Sequence, residues 1–197
     1  MNSDEIRKEL AMSYKELVDY LLQKYGPVGQ DYFVNETCRS KNKRIVRSGE
    51  GLIIHHIDED KAIMLSDTRW AIKNPFEYQK ASRLVYCNIM EHLILHIKIV
   101  EEPNPKGAND FEIQGLGGVM NFICPTLNDF YSGYEFKRES DKKALSLVAD
   151  NFEDYIEVLH YFQNVVAKND RLILYATNEK LARGWDRSIK EKIYREL

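Results

Sequence analysis

The chain has 197 residues, enough to bury a core of its own, and its 44% hydrophobic and 30% charged content is globular rather than disordered. No apolar run approaches the roughly 20 residues of a membrane span, and the opening MNSDEIRKEL has no apolar signal core, so neither a membrane nor a secretory protein is expected. The net charge of −3, from 28 basic and 31 acidic residues, argues against a global polyanion binder but allows a local basic patch. Cys38, Cys87 and Cys124 lie far apart and form no CxxC pair, which disfavours a disulfide framework and a four-cysteine zinc site. Free thiols fit a reducing compartment, so the expected location is the cytoplasm.

Residues 4–25 carry Ile6, Leu10, Met12, Leu17, Leu21 and Leu22 at helical spacing, with Ser3 as a cap and Gly26-Pro27 as a stop, and predict one helix. A polar, irregular stretch follows. It holds Arg39, Lys41, Lys43, Arg44 and Arg47 within nine residues and no acid among them. Leu52-Ile53-Ile54 then runs into His55-His56-Ile57 and reads as a strand. Residues 58–82 are acidic and turn-like, with a break at Asn74-Pro75. Leu84-Val85-Tyr86-Cys87 reads as a short strand or turn leading into a helix, NIMEHLILHIKIVEE, closed by Pro103. Residues 104–135, with Gly107, Gly115, Gly117 and Gly118, read as a Gly-rich loop. An amphipathic helix is predicted over about 141–168, a short strand or helix start over 170–177, and a charged helix over 178–195.

Histidine is scarce, yet four of the five are clustered as His55-His56 and His92/His96. The i, i+4 spacing stacks His92 and His96 on one helix face, where both imidazoles can reach one ion. Strand alternation sends His55 and His56 to opposite faces, so one can bind a metal while the other does something else. A zinc-protease helix needs a Glu directly after its first His; here that residue is Leu93.

The run GEGLIIHHIDED followed by LVYCNIMEHLILH resembles the HNH nucleases, over about residues 44–98. The resemblance implies an α+β fold: a ββα-metal hairpin-plus-helix core within a mainly helical single domain. Residues 1–43 would form an N-terminal helix and basic segment, 44–98 the core with an insertion near 62–80, and 99–197 a mostly helical extension. It further implies that His55, His92 and His96 hold one divalent ion and that His56 is the general base toward water, giving 5′-phosphate and 3′-hydroxyl ends. Magnesium, manganese, nickel and zinc are all candidate ions, three imidazoles favouring a transition metal. In the family an Asn sits nine residues before the first helical His. Here that position is Arg83, so either the Asn's role has moved or Arg83 contributes differently, as a grip on phosphate. The 35 residues between His56 and His92 also exceed the compact family hairpin.

Asp58, Glu59 and Glu91 are candidates for orienting the ligating imidazoles, set against solvated surface acids. The 39–47 basic run suits a phosphate backbone. Tyr131, Tyr134 and Phe136 could stack on unpaired bases, though such aromatics more often anchor a core. The glycines at 115, 117 and 118 lack nucleotide-loop spacing, His160 reads as structural, and Cys87 as a small hydrophobe. The expected function is a metal-dependent endonuclease acting on nucleic acid, DNA favoured, with no membrane partner. The end helices would scaffold the hairpin and offer target contacts or a homo-oligomer interface. The rival is a non-catalytic structural metal module that binds nucleic acid or protein.

Overall fold

The helix Ile89–Glu101 (α4 in chain order) carries apolar residues on most of its surface, and every one of its residues except His92 and Glu101 is buried. Such a helix has to run through the middle of the protein. In the computed structural model, which describes residues 3–105, 113–169, 172 and 177–197, it does. The architecture is mixed α/β and mostly helical, with a two-stranded antiparallel sheet among the described residues. Around α4 pack α1 (Ser3–Leu10), α2 (Tyr14–Tyr25), α7 (Phe152–Ala167) and both strands.

Asn88 starts α4 with a capping box. Its Oδ1 accepts from the Met90 and Glu91 amides, while Glu91 Oε2 accepts from the Asn88 amide at 2.6 Å. The other Glu91 oxygen takes Lys24 Nζ at 2.6 Å and Tyr25 Oη at 2.9 Å, which ties α4 to α2. β1 (Ile53–His56) pairs with β2 (Leu84–Cys87) in the register Ile53↔Cys87 to His56↔Leu84. Only Asn88 separates β2 from α4, so the histidine strand and the histidine helix are held side by side.

Between the strands, the chain forms 3-10 turns at Ile57–Asp60, Phe76–Gln79 and Ala81–Arg83 and the short helix α3 (Thr68–Ala71). The segment before β1 folds onto this insertion through a small core of Phe33, Cys38 and Ala71 with Tyr32 and Phe76. After α4 come a π-helical turn (Gly118–Ile123), α5 (Cys124–Tyr131), α6 (Glu139–Ser146), α7, α8 (Asn178–Leu181) and α9 (Arg187–Glu196).

Four sequence expectations are corrected. Residues 4–25 form two helices, because Ser13 opens α2 with an extended backbone and a capping box to Glu16. The 141–168 segment is likewise split into α6 and α7, and Tyr131 Oη takes the Val148 carbonyl in the break at 2.8 Å. The 178–195 helix is interrupted between α8 and α9, where Asp186 caps α9. The Gly-rich stretch is helical from Gly118 onward. Pro125 can neither donate to the Asn121 carbonyl nor pass it without a clash, and a wider π turn just upstream relieves both. Gly107, and all of 170–177 except Leu172 and Thr177, lie outside the described residues.

Candidate metal centre

The strand, the turn after it and the central helix bring four side chains to one point. His92 and His96, one turn apart on α4, face each other with Nε2 atoms 3.1 Å apart. Glu59, in the turn directly after β1, places Oε2 3.2 Å from His96 Nε2 and 3.4 Å from His55 Nδ1. One donor atom from each of His55, Glu59, His92 and His96 lies within 4.8 Å of the other three. Burial pushes His55 down to about 3 and His92 well below its ordinary value, with the neighbouring histidines adding to the effect. Both are therefore neutral at physiological pH, the form that ligates metals. Burial alone would raise Glu59, but the hydrogen bond from His96 counters it and holds the carboxyl well below the usual range.

Hydrogen bonding assigns the tautomer of His55. Tyr14 Oη donates to the Ile57 carbonyl at 2.8 Å, so toward His55 Nε2, 2.9 Å away, it can only accept. Nε2 then carries the proton, and Nδ1 presents a lone pair. That Nδ1 is buried with no hydrogen-bond partner. An orphaned lone pair converging with two imidazole Nε2 atoms and a carboxylate oxygen is the donor chemistry of a divalent transition-metal site. The residues fit the ion that the sequence implied, with Glu59 as an added fourth donor.

His96 is held from behind by glycine. A Cβ on Gly118 would sit 2.3 Å from His96 Nδ1, and one on Gly115, where φ is +81°, would sit 2.4 Å from the His96 carbonyl. These two glycines let the π turn and its approach pack against the ligand helix, which is why a Gly-rich run here is not a loop.

His56 points away from His55, as strand alternation requires. Its Nε2 lies 3.0 Å from Gln79 Oε1, and Gln79 Nε2 donates to the Leu65 carbonyl at 3.1 Å. The second bond fixes the amide orientation, so Oε1 accepts from His56 Nε2–H and Nδ1 keeps a free lone pair. Nδ1 is 3.9 Å from Glu59 Oε1, and the Tyr32 ring packs edge-on at 4.4 Å between centroids. Burial lowers the His56 pKa. One carboxylate thus reaches both histidines of the strand, one oxygen to each.

A cleft of about 1110 Å³ opens over this centre, with His56, Glu59, His92 and His96 in its lining. Lys41 of the basic run also lines it. Arg39, Lys43 and Arg44 are exposed but lie outside that lining. Arg47 bonds Glu50 and the Tyr25 carbonyl and stacks on Tyr86, which gives it a structural task. Arg83 grips Asp58 with both arms, at 2.6 and 2.5 Å, and does not line the cleft. Of the three candidate orienting acids, Glu59 alone faces the imidazoles; Asp58 is taken by Arg83 and Lys61, and Glu91 by the start of α4. Tyr131 packs on Phe152 and Tyr155, Tyr134 pairs with Phe136, and none of these three lines the cleft. His160 is exposed on α7.

Sequence reasoning missed Gln79 and Tyr14. Neither carries a local signal: a Gln 23 residues from His56 and a Tyr 41 residues from His55 become neighbours only through the fold. Comparison with protein-family models, curated proteins and solved structures returns no match. The functional reading therefore rests on the geometry and on the motif. Among the described residues no helix is long and apolar enough to cross a membrane.

Proposed function

We propose that the protein is a metal-dependent endonuclease of HNH-like design that hydrolyses phosphodiester bonds, DNA being the favoured substrate. The observation that carries the reading is the division of labour along β1. His55 belongs to a four-residue donor set, while the adjacent His56 stays outside it with a free Nδ1 and opens on the same cleft. The chain order β1, β2, α4 is also the order expected of a ββα-metal core.

His55, His92, His96 and Glu59 would hold the divalent ion, magnesium, manganese, nickel or zinc. When bound, such an ion supplies positive charge to a scissile phosphate and its departing 3′ oxygen. His56 Nδ1 takes the proton of the attacking water as the new P–O bond forms and the bond to the 3′ oxygen breaks. Gln79 keeps that nitrogen unprotonated beforehand by holding the proton on Nε2, the orienting task left unassigned by Arg83 at the family's Asn position. Lys41 offers a cation to the phosphate backbone at the rim.

A second reading is favoured by one observation, the reach of the Glu59 carboxylate. Four protein donors can close a tetrahedral site, which is the mark of a structural metal module. Plasmid nicking by the purified protein with each of the four ions, beside His56→Ala, separates the two. The endonuclease reading expects ion-dependent nicking that is lost in His56→Ala while metal content stays near wild type, and loss of both in His92→Ala or His96→Ala. A wild type that holds one metal per chain and cleaves neither plasmid nor single-stranded DNA with any of the ions would replace it with the structural module.

A further inference from the structure

The lining of the cleft beyond the histidines divides by chemistry. The π turn and the residues before it contribute Leu116, Met120 and Phe122, and Phe122 is 57% exposed although it is aromatic. Asn121 beside it is exposed and offers an amide donor and acceptor. Lys41 and Arg183 add positive charge, and neither makes an ion pair within 4 Å among the described residues, Lys41 lying over the Tyr32 ring at 5.2 Å and acting at longer range on Asp67; Arg69, also in the lining, is paired with Asp67. An apolar face with an adjacent amide and two cations beside the candidate metal centre matches one nucleotide: base, base edge and phosphate.

We propose that the cleft takes an unpaired nucleotide of single-stranded DNA, with its base against Phe122 and its flanking phosphates at Lys41 and Arg183. This rests on the endonuclease reading for the class of ligand and goes beyond it in naming the strand state. Inside a duplex, both faces of a base are covered by its neighbours. An aromatic side chain on the wall of a cleft reaches a base face only where the strand is unpaired. The exposed Phe122 is therefore a reader of strand state, a role that the sequence offered only as the lesser reading of Tyr131, Tyr134 and Phe136.

The test is fluorescence anisotropy with a labelled single-stranded oligonucleotide and the same sequence as a duplex. The full chain is used with no divalent ion added, and probe integrity is checked on a denaturing gel. The wild type is expected to prefer the single strand. Phe122→Ala should weaken single-strand binding about 5- to 150-fold, the range for loss of one stacked base, and leave duplex binding unchanged. Phe122→Trp should restore it, which a general folding defect would not. Lys41→Ala should weaken both and flatten their salt dependence. A duplex bound as tightly as the single strand, or Phe122→Ala binding like wild type, would overturn the proposal. Ion-dependent, His56-dependent nicking of a duplex that Phe122→Ala does not affect would leave the endonuclease standing and remove the strand-state assignment. Single-strand binding that behaves as expected, with no cleavage by any ion, would uphold the cleft's ligand and remove the endonuclease.

Discussion

Gly118→Ala adds one carbon, and the structure says where it goes. The new Cβ would lie 2.3 Å from His96 Nδ1, 2.5 Å from Cε1 and 2.8 Å from Cγ, whereas ordinary contact begins at 3.4 Å. The ring or the π turn must therefore give way by about 1.1 Å. Movement of the ring drives Nε2 toward His92 Nε2 and Glu59 Oε2, already at 3.1 and 3.2 Å, and out of any position shared with them around one ion. Metal–ligand distances tolerate roughly 0.2 Å, so the displacement amounts to losing a ligand. Affinity should fall at least as far as for a lost supporting hydrogen bond, about 10- to 100-fold. Movement of the turn instead disturbs the fully buried Val119 and the nearly buried Met120, an overpacking cost of about 1–3 kcal/mol, or about 2–12 °C in Tm for a chain of this size. Gly117→Ala is the control, because its Cβ would meet only Asn121 Nδ2, at 3.9 Å. Zinc titration by calorimetry, metal-to-protein ratios after desalting and thermal melts with and without zinc provide the readout. Wild-type affinity and Tm in Gly118→Ala, or equal behaviour of the two glycine variants, would refute the placement of the π turn against the ligand.

Tyr14→Phe keeps the ring but removes the hydroxyl that accepts from His55 Nε2 and donates to the Ile57 carbonyl; zinc affinity should drop about 10- to 100-fold by calorimetry, and an unchanged affinity would sink the tautomer assignment. Gln79→Leu leaves His56 free to protonate on either nitrogen, so nicking should slow about 10²-fold while metal content holds, and loss of metal instead would place Gln79 in the wrong role. Glu9 gives a pH prediction away from the centre. Its carboxylate is buried with no hydrogen-bond partner, Lys24 Nζ is 3.8 Å away, and burial reinforced by Glu91 pushes it from 4.5 up to about 8. The folded state thus holds a proton that the unfolded chain releases, so stability falls as pH rises from about 4.5 toward 8, by no more than about 5 kcal/mol. Glu9→Gln should melt like wild type at pH 5 and several degrees above it at pH 9; parallel Tm curves for the two proteins would contradict this.

The elements around the centre were legible because their signals are local. The strand at 53–56 follows from its β-branched run and the helix at 89–101 from its dense apolar residues before Pro103, while 84–87 was legible as a short strand or turn leading into it. That one histidine of the strand pair could join His92 and His96 follows from strand alternation and helical spacing; the resemblance implied that it is His55. The helix breaks were less legible, since periodicity runs straight through 11–13 and 147–151 and only the Ser13 capping box and the Tyr131–Val148 bond impose the stops. Gly118 was misread because glycine signals conformational freedom in sequence but here supplies space beside a neighbour.

The sequence by itself determined that His92 and His96 share a helix face and that His55 and His56 point to opposite sides of a strand, because side-chain direction in a strand or helix depends only on backbone period; the resemblance to HNH nucleases pointed to His55 as the one that joins them. Tertiary structure alone decided the rest: that Glu59 and not Asp58 or Glu91 joins them, that Arg83 is occupied by Asp58, that Tyr14 and Gln79 set the imidazole protons, and that Lys41 and Phe122 share one cleft. Arg83 meets Asp58 across 25 positions, Gln79 meets His56 across 23 and Tyr14 meets His55 across 41, at 2.5 to 3.0 Å, and Lys41 and Phe122 line one cleft from 81 positions apart; no local propensity encodes which of these the packing of α4, the sheet and the π turn brings together.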